Sequence, residues 1–218
     1  MTGAPLDPAG KVALLRAALE GWGLRTLVET GLYLGHGSGM GCLDLLDRYV
    51  VFDCQPENVE LAHLELEGRR LDGWPGRFEV HLGDSGLELE RWLAVTGAVT
   101  ESDGAASGGQ ARPVGTAPVT APCLFWLDAH ALETAEGCPP FPTLRELSAI
   151  ARWHHGPASV VLVDDLRMFD HDSWPASVGA PGLDGLLSHV VRLDLWRVKT
   201  YDDVLRLTPR GGMPKFPT

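Results

Sequence analysis

Three features of the chain predict an α/β fold built on a mainly parallel sheet with helices on both faces. Five short apolar runs each end in an acidic residue: Leu27-Val28-Glu29, Val50-Val51-Phe52-Asp53, the run from Phe78 to Asp84, Leu124-Phe125-Trp126-Leu127-Asp128, and Val160-Val161-Leu162-Val163-Asp164-Asp165. Helical patterns separate these runs. Two further runs, about 190–197 and 202–208, stand a few residues apart and read as a closing antiparallel hairpin. Short runs rich in Val, Leu and aromatics suit strands buried on both faces. Ligands of an open α/β sheet bind outside the carboxyl ends of its strands. The pattern therefore sets a row of carboxylates along the edge where a ligand belongs.

Local signals justify the elements in order. Asp7-Pro8 starts a helix, an N-cap acid followed by Pro at the first helical position. It runs to about Gly21, with Val12, Leu15, Ala18 and Leu19 on one face. Strand 1 spans about 25–29. A Gly-rich turn, Gly31 to Gly41, leads into a helix ending near Asp47. Strand 2 covers about 49–53, and Pro56 opens a helix in which Val59, Leu61, Leu64 and Leu66 are partly periodic. Strand 3 is about 77–82. Ser85 with Glu88 carries a capping-box signature for a helix over about 86–94. Strand 4 is about 123–128. Thr143 with Glu146 repeats the capping-box signature at the next helix, and strand 5 follows at about 159–164. A short helix is expected at 183–188.

Residues 95–121 differ from the rest. They contain no Leu, Ile, Phe, Trp or Tyr, so they can bury little surface. They read as a mobile insertion within a single domain spanning 1–218, with an interdomain linker as the alternative.

Composition narrows the function. The chain is 44% hydrophobic and 22% charged, ordinary for a globular domain. A formal charge of -11 argues against electrostatic binding to nucleic acid or to an anionic membrane. Basic residues are mostly Arg; the lysines are Lys11, Lys199 and Lys215. No secretory signal pattern and no apolar stretch of about 20 residues is present. Cys42, Cys54, Cys123 and Cys138 are scattered without C-x-x-C spacing, which suits reduced thiols and a cytoplasmic protein.

The turn after strand 1 reads Val28-Glu29-Thr30-Gly31-Leu32-Tyr33-Leu34-Gly35-His36-Gly37-Ser38. Glycines there let backbone approach a ligand at a helix N-terminus, or serve only a tight turn. The dinucleotide fingerprint G-x-G-x-x-G fits in no register, which disfavours NAD or FAD. The turn instead resembles motif I of the class I S-adenosylmethionine (SAM) methyltransferases, E/D-x-G-x-x-x-G. The resemblance covers about 25–208 and implies a Rossmann-like sheet of order 3-2-1-4-5-7-6 with strand 7 antiparallel. It implies cofactor contacts from Glu29, Gly31, Tyr33, Gly35, Asp53, Asp84 and Asp128. Tyr33 packs over the cofactor or fills the turn. Asp53 has a local alternative as a cap for the helix after Pro56.

Asp128, Asp164 and Asp165 end neighbouring strands in such a sheet. Converging carboxylates repel unless protonated, paired or holding a cation. The arrangement resembles the metal-dependent O-methyltransferases of the catechol and sugar types. That resemblance implies Asp128, Asp164 and Asp165 as ligands of a Mg²⁺ ion that would orient the acceptor hydroxyl and lower its pKa. The alternative is a cap plus a salt bridge to Arg167. Catechol-type enzymes carry a Lys base shortly after the strand 4 Asp. Here the stretch is Asp128-Ala129-His130-Ala131, so His130 stands as general base, fourth ligand or plain loop residue.

The resulting expectation is SAM-dependent O-methylation of a small-molecule hydroxyl on a glycoside or natural product, with Asp128 and His130 as the catalytic pair. Trp126 is expected in the core; Phe169, His171 and Trp174 are expected in an acceptor pocket. Only loops 131–142 and 168–182, or the second subunit of a homodimer, remain to cover that pocket. Two rival classes are a catalytically silent SAM-fold binding module and a metal-dependent phosphoester hydrolase using the same acids.

Overall fold

The computed structural model describes residues 6–32, 35–97, 119, 121–129, 141–169 and 182–211. The helix α1 (Pro8–Trp22) leads into β1 (Thr26–Thr30). A 3₁₀ helix (Ser38–Leu45), β2 (Arg48–Asp53), α2 (Pro56–Leu71), β3 (Arg77–Leu82) and α3 (Ser85–Gly97) follow. The second half carries β4 (Leu124–Leu127), α4 (Thr143–Arg152), β5 (Val160–Val163), α5 (Gly182–Leu193), β6 (Trp196–Tyr201) and β7 (Val204–Pro209). The strands form one sheet in the order β3-β2-β1-β4-β5-β7-β6. β3, β2, β1, β4 and β5 are parallel, and β7 runs antiparallel to both β5 and β6.

Alternate residues of the central strands feed two cores, as two-sided burial requires. Val28, Phe52, Phe125, Leu127 and Val161 pack with Leu89 of α3, Ile150 of α4 and Leu186 of α5. Leu27, Tyr49, Val51, Trp126 and Leu162 pack on the opposite face with Leu15 and Leu19 of α1, Leu43 of the 3₁₀ helix and Leu66 of α2. Trp126 is fully buried, as expected of a core residue.

Several boundaries differ from the sequence expectation. The stretch after Gly37 forms a 3₁₀ rather than an α-helix. Gly39 lies so close to Leu27 and Tyr49 that an added Cβ would sit 2.5 Å from each, and glycines give an α-helix little support. α5 extends to Leu193 because Leu186 and Val190 continue its buried stripe, so the first hairpin strand starts at Trp196 instead of about 190. Residues 95–97 belong to α3, while 98–118 and 120 of the expected insertion lie outside the described residues. Among the described residues Cys42 and Cys123 are free thiols, and burial pushes Cys42 up to about 12. No helix among them is long and apolar enough to cross a membrane.

Candidate functional site

The sheet ladder continues one residue beyond its strands. Gly31 N–H donates to the Phe52 carbonyl at 2.8 Å, Gly83 N–H to Asp53 at 2.9 Å, Asp128 N–H to Thr30 at 2.9 Å and Asp164 N–H to Leu127 at 3.0 Å. These bonds align Glu29, Asp53, Asp84, Asp128 and Asp164 along one edge. The order of strands reverses between β1 and β4, the switch point at which such a sheet opens a crevice.

The glycine turn is fastened from beneath. Glu29 is 1% exposed. Its carboxylate accepts the Ser38 N–H at 2.7 Å, the Gly39 N–H at 2.9 Å and the Tyr49 hydroxyl. Burial raises its pKa and these donors oppose the rise. Glu29 thus organises the loop with an engaged carboxylate, where the resemblance implied a cofactor contact. Gly31 has φ +81°, and a Cβ there would lie 2.7 Å from the Asp128 carbonyl carbon and closer to its oxygen. Gly35, at φ +76°, would bring a Cβ onto the Leu61 side chain. Both positions therefore require glycine. Tyr33 lies outside the described residues.

Asp53 ends β2 in the crevice, 6% exposed. One oxygen accepts the Leu32 N–H at 2.6 Å; the other accepts the Gln55 N–H at 2.7 Å and the Asn58 amide at 3.4 Å. Burial raises its pKa against these donors. These donors are neutral amides, so no counter-charge among them neutralises the carboxylate. Asp84 caps α3 through the Gly86 N–H at 2.9 Å and pairs with Arg145 at 3.2 Å.

Neither expected capping box forms. Ser85 is the first residue of α3, Asp84 caps it, and Pro142 precedes α4 without a side-chain cap. Instead the Ser of one motif meets the Glu of the other: Ser85 Oγ donates to Glu146 Oε1 at 2.6 Å. Glu146 is fully buried, and its Oε2 has no hydrogen-bond partner among the described residues. Burial pushes its pKa up to about 7, against the Ser85 and Thr30 hydroxyls.

The acid cluster after β4 and β5 contains a cation that the sequence reading did not place there. Lys11 reaches across from α1. Its Nζ lies 3.3 Å from Asp128 Oδ2, forms a closer ion pair with Asp164 Oδ2, and sits 5.9 Å from the centre of the Trp126 ring. Asp165, at φ +51°, accepts Arg167 Nη1 at 2.7 Å. Arg167 also pairs with Asp203, which is fully buried, and its N–H donates there at 2.8 Å. Burial pushes Asp128 and Asp164 up to about 7, and the Lys11 charge works against the rise. Burial lowers the Lys11 pKa, but the attraction of Asp128 and Asp164 outweighs it and holds the ammonium protonated above its usual range.

This donor set does not fit the expected Mg²⁺ site. Among the described residues no three His, Cys, Asp or Glu side chains gather to hold an ion. Asp128 and Asp164 converge on an ammonium, and Asp165 turns to a guanidinium. The Asp165–Arg167 pair is the salt-bridge alternative raised by the sequence. His130, His171 and Trp174 lie outside the described residues. Phe169 is core, 1% exposed and packed against Phe141, and not part of an acceptor pocket.

Sequence reasoning missed Lys11, Tyr49, Ser85 and Glu146. Lys11 had a readable signal: it precedes Leu15 and Ala18 by four and seven residues, which places it on the buried stripe of α1. The assembled edge offers acceptor carboxylates at Asp53 and Asp84. At its other end it offers an ammonium paired with two carboxylates.

No family model and no curated protein sequence matches the chain. Solved structures do. An O-methyltransferase from Bacillus cereus in complex with SAH matches with a TM-score of 0.57 and 14% identity, over 93% of this chain and 82% of that one. A Streptococcus mutans protein assigned as a methyltransferase, also in complex with SAH, matches with a TM-score of 0.55 and 12% identity, over 94% and 98%. A Staphylococcus aureus protein assigned as a caffeoyl-CoA O-methyltransferase gives 0.55 and 11%, over 94% and 86%. At these identities the likeness is one of fold: the chain shares a Rossmann-like α/β fold with these methyltransferase structures.

Proposed function

We propose that this chain, having the class I methyltransferase fold, is a SAM-dependent methyltransferase acting on a hydroxyl of a small molecule such as a glycoside or natural-product intermediate. The observation that carries the reading is the row of carboxylates across the switch point of a β3-β2-β1-β4-β5-β7-β6 sheet. SAM, when bound, supplies an electrophilic methyl group on a sulfonium. The residues fit such a ligand: Asp53, held by neutral amides, is suited to the ribose hydroxyls. Asp84 stands at the adjacent strand end for the adenine. Gly31 keeps the chain close to Asp128, and Glu29 holds the turn in shape through Ser38 and Gly39. On this reading Asp128, whose pKa burial pushes up to about 7, accepts the hydroxyl proton; its partial exposure supports that role. The many acids and the charge of -11 support a small-molecule acceptor over nucleic acid.

The test is calorimetric titration of the chain with S-adenosylhomocysteine. One saturable site is expected. At about 100 times its dissociation constant the ligand should stabilise the fold by roughly 2.7 kcal/mol, visible as a melting shift. Absence of both heat and shift overturns the proposal. Asp53→Asn should weaken the binding about tenfold, the equivalent of ~1.4 kcal/mol for one hydrogen bond to a charged acceptor.

A further inference from the structure

The acid cluster at the ends of β4 and β5 is where the resemblance implied a divalent ion, and the residues there do not fit one. We propose that the Lys11 ammonium is the resident cation of this site, standing where the ion would stand and excluding it. Three observations carry the inference. Lys11 Nζ lies between the carboxylates of two different strands, 3.3 Å from Asp128 Oδ2 and in closer ion-pair contact with Asp164 Oδ2. Asp164 is fully buried, so its carboxylate, when ionised, requires a charge partner inside the protein. The third acid, Asp165, gives a carboxylate oxygen to Arg167, so that among the described residues Asp128 and Asp164 are the carboxylates in ion-pair contact with Lys11.

Charge and geometry point the same way. Mg²⁺ binds oxygens at about 2.0–2.1 Å in near-octahedral arrangement. An ammonium sits farther from its acceptors and needs only hydrogen-bond directions. A divalent ion between Asp128 and Asp164 would have to displace Lys11 or sit against it, cation on cation, in a buried place. An ammonium has three donors. Two reach Asp128 and Asp164, and among the described residues no acceptor takes the third. On the methyltransferase reading, which this inference deepens, that N–H is the donor that positions an acceptor oxygen. Helix α1 thereby joins the site, and its N-terminal half serves to deliver a charge.

The experiment is Mn²⁺ titration of the full chain, followed by calorimetry and by loss of the free-ion paramagnetic resonance signal. Wild type is expected to take up no stoichiometric Mn²⁺. Lys11→Met and Lys11→Gln leave two carboxylates without their cation and should bind one Mn²⁺ at least about tenfold tighter than wild type, the factor given by ~1.4 kcal/mol of relieved repulsion. Lys11→Arg keeps the charge and should stay silent. One equivalent of Mn²⁺ on wild type overturns the inference, and that arm stands even if the neutral variants fail to fold. Neutral variants that fold and remain silent overturn it too, because the carboxylates then have no ion for Lys11 to exclude. Titration with S-adenosylhomocysteine is run in parallel: its failure would sink the methyltransferase reading and leave the Mn²⁺ result to decide the identity of the cation.

Discussion

Replacing Glu146 by Gln should make the protein more stable at alkaline pH and much less so at acid pH. Glu146 is fully buried, with one hydrogen bond from Ser85 at 2.6 Å. Burial, with a smaller contribution from the negative charges of Asp84 and Asp128, takes its pKa from an ordinary 4.5 up to about 7. Between those values the folded chain holds a proton that the unfolded chain has released, so stability falls as pH rises through the window. At about 1.36 kcal/mol per unit, the full loss above pH 7 is about 3 kcal/mol, and about 1 kcal/mol of it is already present at pH 5.5. Gln has the shape of the protonated acid and no charge at either pH. The amide carries its own cost, about 1 kcal/mol for an unpaired N–H, but that cost is the same at both pH values. The informative quantity is therefore the difference: the Gln variant should gain about 2 kcal/mol relative to wild type between pH 5.5 and pH 8.5. For a chain of this length that is roughly 4–8 °C in Tm. Urea unfolding at the two pH values, with equal slopes for both proteins, measures it. A Gln variant whose stability relative to wild type is the same at both pH values, or worse at pH 8.5, refutes the reasoning.

Two further substitutions probe the turn. Gly31→Ala puts a Cβ against the Asp128 carbonyl at φ +81°, and should cost about 2 kcal/mol or more in stability together with S-adenosylhomocysteine affinity; urea midpoints and calorimetry report the two losses. Tyr49→Phe removes a hydroxyl donor from the buried Glu29 carboxylate and should destabilise by about 1–3 kcal/mol, measured by urea unfolding at pH 7.5. An unchanged midpoint would mean that water or a shifted side chain replaces the hydroxyl.

The sequence carried the architecture because its signals are local and repeated. A short β-branched run such as Val160-Val161-Leu162-Val163 suits a strand buried on both faces, and β4 and β5 are four-residue runs fully buried. Parallel strands share a direction, so acids that follow such runs must gather at one edge. Asp53 at the end of β2, and the glycines at 31 and 35, were legible for the same reason: each answers to the backbone beside it. The limits of local reading show at the caps. Ser85 with Glu88 and Thr143 with Glu146 both carry the capping signature, yet Ser85 binds Glu146. A cap contributes about 1 kcal/mol, while a buried carboxylate left without donors costs about 1–3 kcal/mol, and the larger demand prevails.

By itself the sequence determined the order of elements, the two buried faces of the sheet and the edge on which the carboxylates stand. Only the tertiary structure decided what neutralises them. Lys11 meets Asp128 across 117 residues of chain, and Ser85 meets Glu146 across 61. The stripe of α1 marks Lys11 as facing inward, but nothing beside either residue of a pair names the other. The pairing of buried charge depends on which groups share a desolvated space, and the packing of α1 and α4 against the sheet creates that space. A cluster of acids in a sequence calls for protonation, pairing or a cation; the fold shows a lysine paired with two of them.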